Sequence, residues 1–194
     1  MKNTKKMKAL ATLAASALVV GCVVGGTLAW LTDTTDAVKN TFTTSNIDIT
    51  LTETTGGDKH EYKMVPGYTI GKDPTVIVEA ASEACYLFVK VEKSDNFDTY
   101  LSYEMANGWT VLDGEENVYY REVAASDEDT TFSVLKDNKV QVSEKVTQEQ
   151  MASLSGENYP TLTFTAYASQ LYKDAGTKFS AAEAWTNVNP DAQG

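Results

Sequence analysis

Few side chains in this sequence have the type and spacing that catalysis or metal binding requires. His60 is the only histidine, so a zinc site with two histidine ligands cannot form within one chain. A Ser-His-Asp arrangement would also depend on His60, and no serine lies in a G-x-S-x-G turn. Neither a P-loop nor a dinucleotide-binding fingerprint is present. We therefore expect no catalytic residue, no cofactor and no metal ligand.

The other polar and reactive groups fit ordinary structural roles. Cys85 lies in the apolar run EACYLFVKVE, which predicts a buried thiol. His60 lies in the polar stretch GGDKHEYK and is expected in an exposed loop. The acidic run from Ser126 to Thr130 predicts a solvated loop. Calcium binding there is the alternative, but Ca²⁺ takes six or more oxygen ligands, which this run alone does not supply.

The balance of charges limits the partners of the chain. The sequence has 27 acidic and 16 basic residues and a net charge of −11. Four of the lysines fall within the first eight residues. The remaining 12 basic and 27 acidic residues give the rest of the chain a net charge of −15. Such a surface lacks the cations that neutralise phosphates, which excludes nucleic acid as a natural partner.

The first residues have the charge pattern of a secretory signal. Four lysines precede an uncharged segment that runs from Ala9 to Thr32. The apolar part of this segment is shorter and richer in Ala and Gly than a membrane-spanning helix. The small residues of Thr27-Leu28-Ala29 predict cleavage between Ala29 and Trp30. Residues 1–29 are therefore predicted to be a signal peptide.

A second interpretation of the same segment starts from Cys22. Val19-Val20-Gly21-Cys22 fits the box that precedes a lipid-modified cysteine, which would make the chain a surface-anchored lipoprotein. Such proteins usually continue into a polar tether, whereas the chain here stays apolar through Leu31. We favour Cys22 as an apolar residue of the signal, and the lipoprotein remains the alternative.

Alternating apolar and polar residues recur along the chain and predict strands. Seven segments show the pattern: NIDITLT, TVIVEA, CYLFVKVEK, NVYYREV, TTFSVL, NKVQVSEKV and TLTFTAYAS. In the last segment, the residues expected on the inner face are Leu162, Phe164, Ala166 and Ala168, and those expected on the outer face are Thr161, Thr163, Thr165 and Tyr167. Turn residues separate the segments. The pattern predicts an all-β fold, an antiparallel β-sandwich over residues 43–188.

Helix is predicted only in two short pieces. Thr147 and Gln150 form a capping-box pattern in TQEQMASLSG, and Ser180 and Glu183 repeat it in FSAAEAW. Both helices are expected to cover an edge or an end of the sandwich. The polar residues 189–194 are predicted to be a carboxyl-terminal tail.

Several segments together resemble the TasA and camelysin family of exported proteins of Gram-positive bacteria. The similarity begins with the signal ending GGTLA, followed by WLTD, NTFT and the strand NIDITLT. It continues in VPGYTIGKDPTVIVEAASEACYLFVKV and in LTFTAYASQLY, which precedes a short helix that ends at Ala184-Trp185. It covers residues 1–52, 64–91 and 160–186.

This resemblance implies a jelly-roll-like sandwich that is secreted to the extracellular matrix or the cell surface. It implies processing by a SipW-type signal peptidase and polymerisation into biofilm-matrix fibres. An accessory matrix or anchoring protein would be a further partner. Camelysin-like members are described as zinc-dependent extracellular metallopeptidases, which gives an alternative function, and the lone His60 argues against it.

The residues after the cleavage point also favour a linking role. Cleavage leaves Trp30 and Leu31 at the new terminus, and Val38 and Phe42 follow in a Thr-rich stretch that is too polar to collapse alone. We predict that residues 30–42 act as a donor strand that pairs with an open sheet edge of another copy. Alternatively, the segment folds back as an edge strand of its own sandwich.

Three aromatic residues suggest a further alternative. Trp109, Tyr119 and Tyr120 could present their rings to glycans or to a partner protein, as in a binding module. The competing interpretation places the same rings in the sandwich core or in cross-strand pairs.

Overall fold

The structure is a computed structural model and describes residues 46–54 and 63–189. The chain divides into two compact units, residues 1–43 and 44–194, and all described residues belong to the second. Three residues discussed above for their chemistry or processing, Cys22, Ala29 and His60, lie outside the described residues. The predicted donor strand also lies outside them, with its residues Trp30, Leu31, Val38 and Phe42.

The described part of the chain contains ten strands and three short α-helices. The strands are β1 (Ile49–Thr52), β2 (Thr69–Gly71), β3 (Thr75–Val78), β4 (Cys85–Lys93), β5 (Leu101–Ser102), β6 (Thr110–Val111), β7 (Val118–Val123), β8 (Thr130–Ser133), β9 (Lys139–Val142) and β10 (Leu162–Gln170). The helices are α1 (Phe97–Tyr100), α2 (Gln148–Ala152) and α3 (Ala181–Val188). None of these helices is long and apolar enough to cross a membrane.

The strands form three antiparallel sheets. Their orders are β1-β3-β8, β10-β4-β7-β6 and β2-β9-β5, and every strand pair is antiparallel. The predicted all-β antiparallel sandwich is therefore confirmed. Each of the seven segments with alternating residues contains a strand. The three further strands, β2, β5 and β6, have only two or three residues, which is too short for alternation to show.

Strand β4 is the centre of the fold because it is covered on both faces. Its inward residues Leu87, Val89 and Val91 are fully buried against the β1-β3-β8 sheet, where Val76 and Val78 meet them. Burial of this kind stabilises the fold by about 1.5–3 kcal/mol for each large apolar side chain. A strand that is buried on both faces has consecutive apolar residues rather than an alternating pattern, and the CYLFV segment of β4 shows this.

Helix α3 covers the second face of β4. Its capping box is formed, since the Ser180 side chain accepts from the Glu183 backbone and the Glu183 side chain accepts from the Ser180 backbone. Trp185 is 5% exposed and lies 5.3 Å from the ring of Phe88 and 5.2 Å from the ring of Tyr167. Tyr167 is thus on the outer face of β10, as predicted, but this face is covered by the helix.

A second group of elements packs beside the sandwich. Helix α2 has the predicted capping box between Thr147 and Gln150. Helix α1 was not predicted because four residues are too few to show a helical period, and it buries Phe97. Both helices belong to an apolar cluster with the β2-β9-β5 sheet, whose members include Val140 and Val142.

Replacing Trp185 tests how far α3 stabilises the sandwich. We expect Trp185→Ala to lower the free energy of unfolding by about 3–5 kcal/mol, because a large buried ring is removed and a cavity remains. Thr186→Ala, at an exposed position of the same helix, should change it by less than about 0.5 kcal/mol. Urea denaturation of the full chain measures both. Equal stability of the two variants would show that α3 does not hold the sheet.

Candidate functional site: the open edge of β10

Strand β10 is the edge strand of the largest sheet. All nine of its residues pair with β4, from Leu162 opposite Lys93 to Gln170 opposite Cys85. Among the described residues, no strand pairs with its other side. The opposite edge of the same sheet is β6, which has two residues. The sheet thus has one long edge and one short edge.

The pairing pattern shows which backbone groups face outward. The amide of Ser94 donates to Thr161 and that of Leu171 donates to Ala84, so the odd-numbered residues of β10 bond to β4. In an antiparallel pair, the residues between them direct their N–H and C=O groups to the other side. The outward groups are those of Leu162, Phe164, Ala166, Ala168 and Gln170. We call this row the open edge.

The sequence of β10 lacks the features that normally protect an edge strand. Natural edge strands are kept short, bulged or charged, or contain proline, because their unpaired backbone groups invite pairing with another chain. LTFTAYASQ contains no charged residue, no proline and no glycine. The chain as a whole is 22% charged, so nine uncharged residues along one edge set this strand apart. The open edge is a template for strand addition.

The apolar side chains beside this edge remain partly exposed. Strand β1 packs against β10, and both are edge strands of facing sheets. Their inward side chains, such as Ile49, Leu51 and Phe164, are only partly buried, whereas Val89 in the middle of the sandwich has no exposed surface. An additional strand at this side would remove more apolar surface from water.

The open edge has defined ends. After Gln170 the chain turns back on itself, and the amide of Phe179 donates to the Leu171 carbonyl at 3.0 Å. Near the other end, the Lys72 ammonium lies 5.5 Å from the ring centre of Phe164 and 2.7 Å from the Glu53 carboxylate. These groups mark the two ends of the open edge, which is as long as one strand and carries no charge.

The aromatic residues considered for glycan binding pack against neighbouring side chains on the two faces of the β10-β4-β7-β6 sheet. Tyr120 contacts the rings of Tyr86 and Phe88. Trp109 and Tyr119 are partly buried against the core, and the indole N–H of Trp109 donates to the Ser133 carbonyl at 2.9 Å. This arrangement favours a structural role for the three rings.

Several polar and reactive groups among the described residues are buried or hydrogen-bonded. Cys85 has no exposed surface, and burial raises the pKa of its thiol to about 11. In the acidic run, Asp129 accepts from the Ala80 amide and the Ser126 hydroxyl accepts from the Glu128 amide. Burial, with a smaller contribution from Tyr119, raises the pKa of Tyr103. Within residues 46–54 and 63–189, no group of three or more metal-binding side chains is found.

The sequence pattern predicts a donor segment, residues 30–42, but it does not identify β10 as the acceptor strand. The inner and outer faces of β10 follow from its alternation, but its place at the edge depends on long-range pairing. One signal was present in the sequence, because TLTFTAYAS is the longest alternating run without a charge. Comparison with protein-family models, with curated proteins and with solved structures finds no match to this chain.

The thiol of Cys85 gives a test of core burial. In a Cys22→Ser chain, where Cys85 is the only cysteine, a pKa of about 11 leaves roughly one thiol in a thousand ionised at pH 8. We expect no reaction of the folded chain with Ellman's reagent over an hour, and full reaction in 8 M urea as the control. Rapid reaction without urea would show that β4 is accessible.

Proposed function

We propose that this chain is a secreted structural subunit of an extracellular biofilm matrix. Subunits polymerise when the amino-terminal segment of one copy, residues 30–42, adds as a strand to the open edge of β10 in the next. The nine-residue uncharged edge is the observation that carries this proposal. A long, flat edge of this kind is normally avoided by proteins that stay monomeric.

The composition of the donor segment suits this edge. In a strand, Val38 and Phe42 share one face, because they are four residues apart. That face can cover the partly buried Phe164 and Leu51 at the side of the sandwich. The segment also contains four Thr, a residue type that favours strands.

The energies are adequate for assembly. In a strand, Trp30, Val38 and Phe42 share one face, and their burial at roughly 1.5–3 kcal/mol each gives on the order of 4.5–9 kcal/mol before the costs of ordering and association. Backbone bonds along the open edge add about 0.5–1.5 kcal/mol each. Each joint is then of moderate strength, and a fibre gains stability from the number of its joints.

Donor and acceptor are different surfaces, so the contact is head-to-tail. Head-to-tail contacts that do not close into a ring give filaments. The proposal includes release of the donor by a SipW-type signal peptidase, which cuts after Ala29, and it includes membership of the TasA and camelysin family. In this account the chain binds its own copies and has no catalytic activity.

Truncation tests whether residues 30–42 are the donor strand. A chain that begins at Trp30 should form fibres visible by negative-stain electron microscopy. A chain that begins at Thr43 lacks all four apolar donor residues and should remain monomeric in sedimentation velocity. Far-ultraviolet circular dichroism establishes that both are folded. Fibres from the shorter chain would refute the donor assignment.

Proline substitution tests the acceptor. Ala166→Pro, in the chain that begins at Trp30, removes an outward N–H and leaves the bonds to β4 in place. We expect a folded monomer that forms no fibres.

Thr165→Pro is the matched control at the neighbouring position. It removes an N–H that faces β4 and should destabilise the fold by about 1–3 kcal/mol, because the opposing carbonyl loses its partner. Thermal unfolding separates the two variants. Fibres from a folded Ala166→Pro chain would contradict the assignment of β10 as acceptor.

A further inference from the structure

The opposite side of the sandwich also has two edge strands, but their surroundings differ from those of β10. They are β8, with four residues, and β6, with two. Three side chains meet here from different strands and loops: Trp109, Arg121 and Phe132. The Arg121 guanidinium carbon lies 5.3 Å from the ring centre of Trp109 and 4.0 Å from that of Phe132. We call these residues the Trp109–Arg121 cluster.

Trp109 occupies a backbone acceptor on the outer edge of β8. The amide of Val134 donates to Pro74, so the even-numbered residues of β8 bond to β3 and Ser133 directs its groups outward. The indole N–H of Trp109 donates to this outward carbonyl at 2.9 Å. Further along, the amide of Ala106 donates to the Val134 carbonyl at 2.9 Å. The outward acceptor at this end of β8 is therefore already used, and the chain around Ala106 pairs with the residue that follows the strand.

Arg121 points inward from β7 at the same side. It is the only arginine in the sequence, and its Nε is buried with no hydrogen-bond partner among the described residues. Burial lowers its pKa. Gly108 leaves room for it: a Cβ there would lie 2.8 Å from the guanidinium, and the φ of Gly108 is +89°. An inward charge beside an edge is a known means of preventing strand addition. Arg121 differs in this respect from Lys72 beside β10, whose ammonium is neutralised by Glu53 at 2.7 Å.

We infer that the Trp109–Arg121 cluster closes the second side of the sandwich to strand addition and thereby directs the donor to the side that carries β10. A strand that approached β8 would have to displace the indole from the Ser133 carbonyl. Its inward side chains would then meet a guanidinium that cation–π contacts hold in place. This inference rests on the proposed function, because it concerns which edge receives the donor.

The consequence concerns the form of the polymer. One donor and one acceptor per subunit give an unbranched filament. A second acceptor edge would allow branching or lateral association, and a blocked edge prevents both. The cluster is then a determinant of specificity rather than a binding site.

The test uses the chain that begins at Trp30 with β10 blocked by Ala166→Pro. Into this background we introduce Trp109→Phe, which keeps an aromatic ring and loses the indole N–H, and Arg121→Met, which keeps an apolar stem and loses the charge. The blocked chain should stay monomeric, and the triple variant should regain sedimentable polymer. The control is the Ala166→Pro chain with Arg121→Met alone, which loses the charge but keeps the indole N–H of Trp109.

The outcomes separate the two proposals. A triple variant that is folded and monomeric overturns the role of the cluster and leaves the proposed function intact. Polymer from the Ala166→Pro chain itself overturns the acceptor assignment, and the inference about the cluster falls with it. If the triple variant does not fold, Trp109→Phe with an intact β10 provides the second test by electron microscopy. Branched or laterally associated fibres support the cluster's role, and unbranched single fibres contradict it.

Discussion

Every peptide N–H and C=O that a strand takes out of water needs a partner, and this constraint governs both sides of the sandwich. In the middle, β4 satisfies it by pairing with β10 along its whole length and with β7 from Cys85 to Lys90. On one side, the Trp109 indole and the segment around Ala106 supply partners to β8 and the residue after it. On the other side, the outward groups of β10 have none among the described residues. In the proposed assembly, the donor segment of a second chain supplies those partners.

The distribution of charge also favours contact between copies at β10. A net charge of −11 keeps copies of the chain apart wherever acidic surfaces meet. The nine residues of β10 carry no charge, so contact there avoids the repulsion that opposes contact elsewhere. In the proposed assembly, specificity for the open edge has two sources: an uncharged strand that accepts the donor, and repulsion between acidic surfaces elsewhere.

The sequence predicts local features well and pairing poorly. Alternation located the seven principal strands, and the capping boxes at Thr147 and Ser180 located two helices. The buried state of Cys85 followed from its apolar neighbours. The open edge could not be predicted, because strand order depends on contacts between residues far apart in the chain. The contact of Arg121 with Trp109 and Phe132 joins β7 to an approaching loop and to the facing sheet, so no local pattern reveals it.

Amide hydrogen exchange at the open edge tests the central claim most directly. In the monomer, the amides of Phe164, Ala166 and Ala168 face away from β4, while those of Thr165 and Tyr167 face it. The account predicts that the first set exchanges rapidly in the monomer and becomes protected in fibres, whereas the second set is protected in both. Protection of Phe164, Ala166 and Ala168 already in the monomer, or their rapid exchange in fibres, would contradict it.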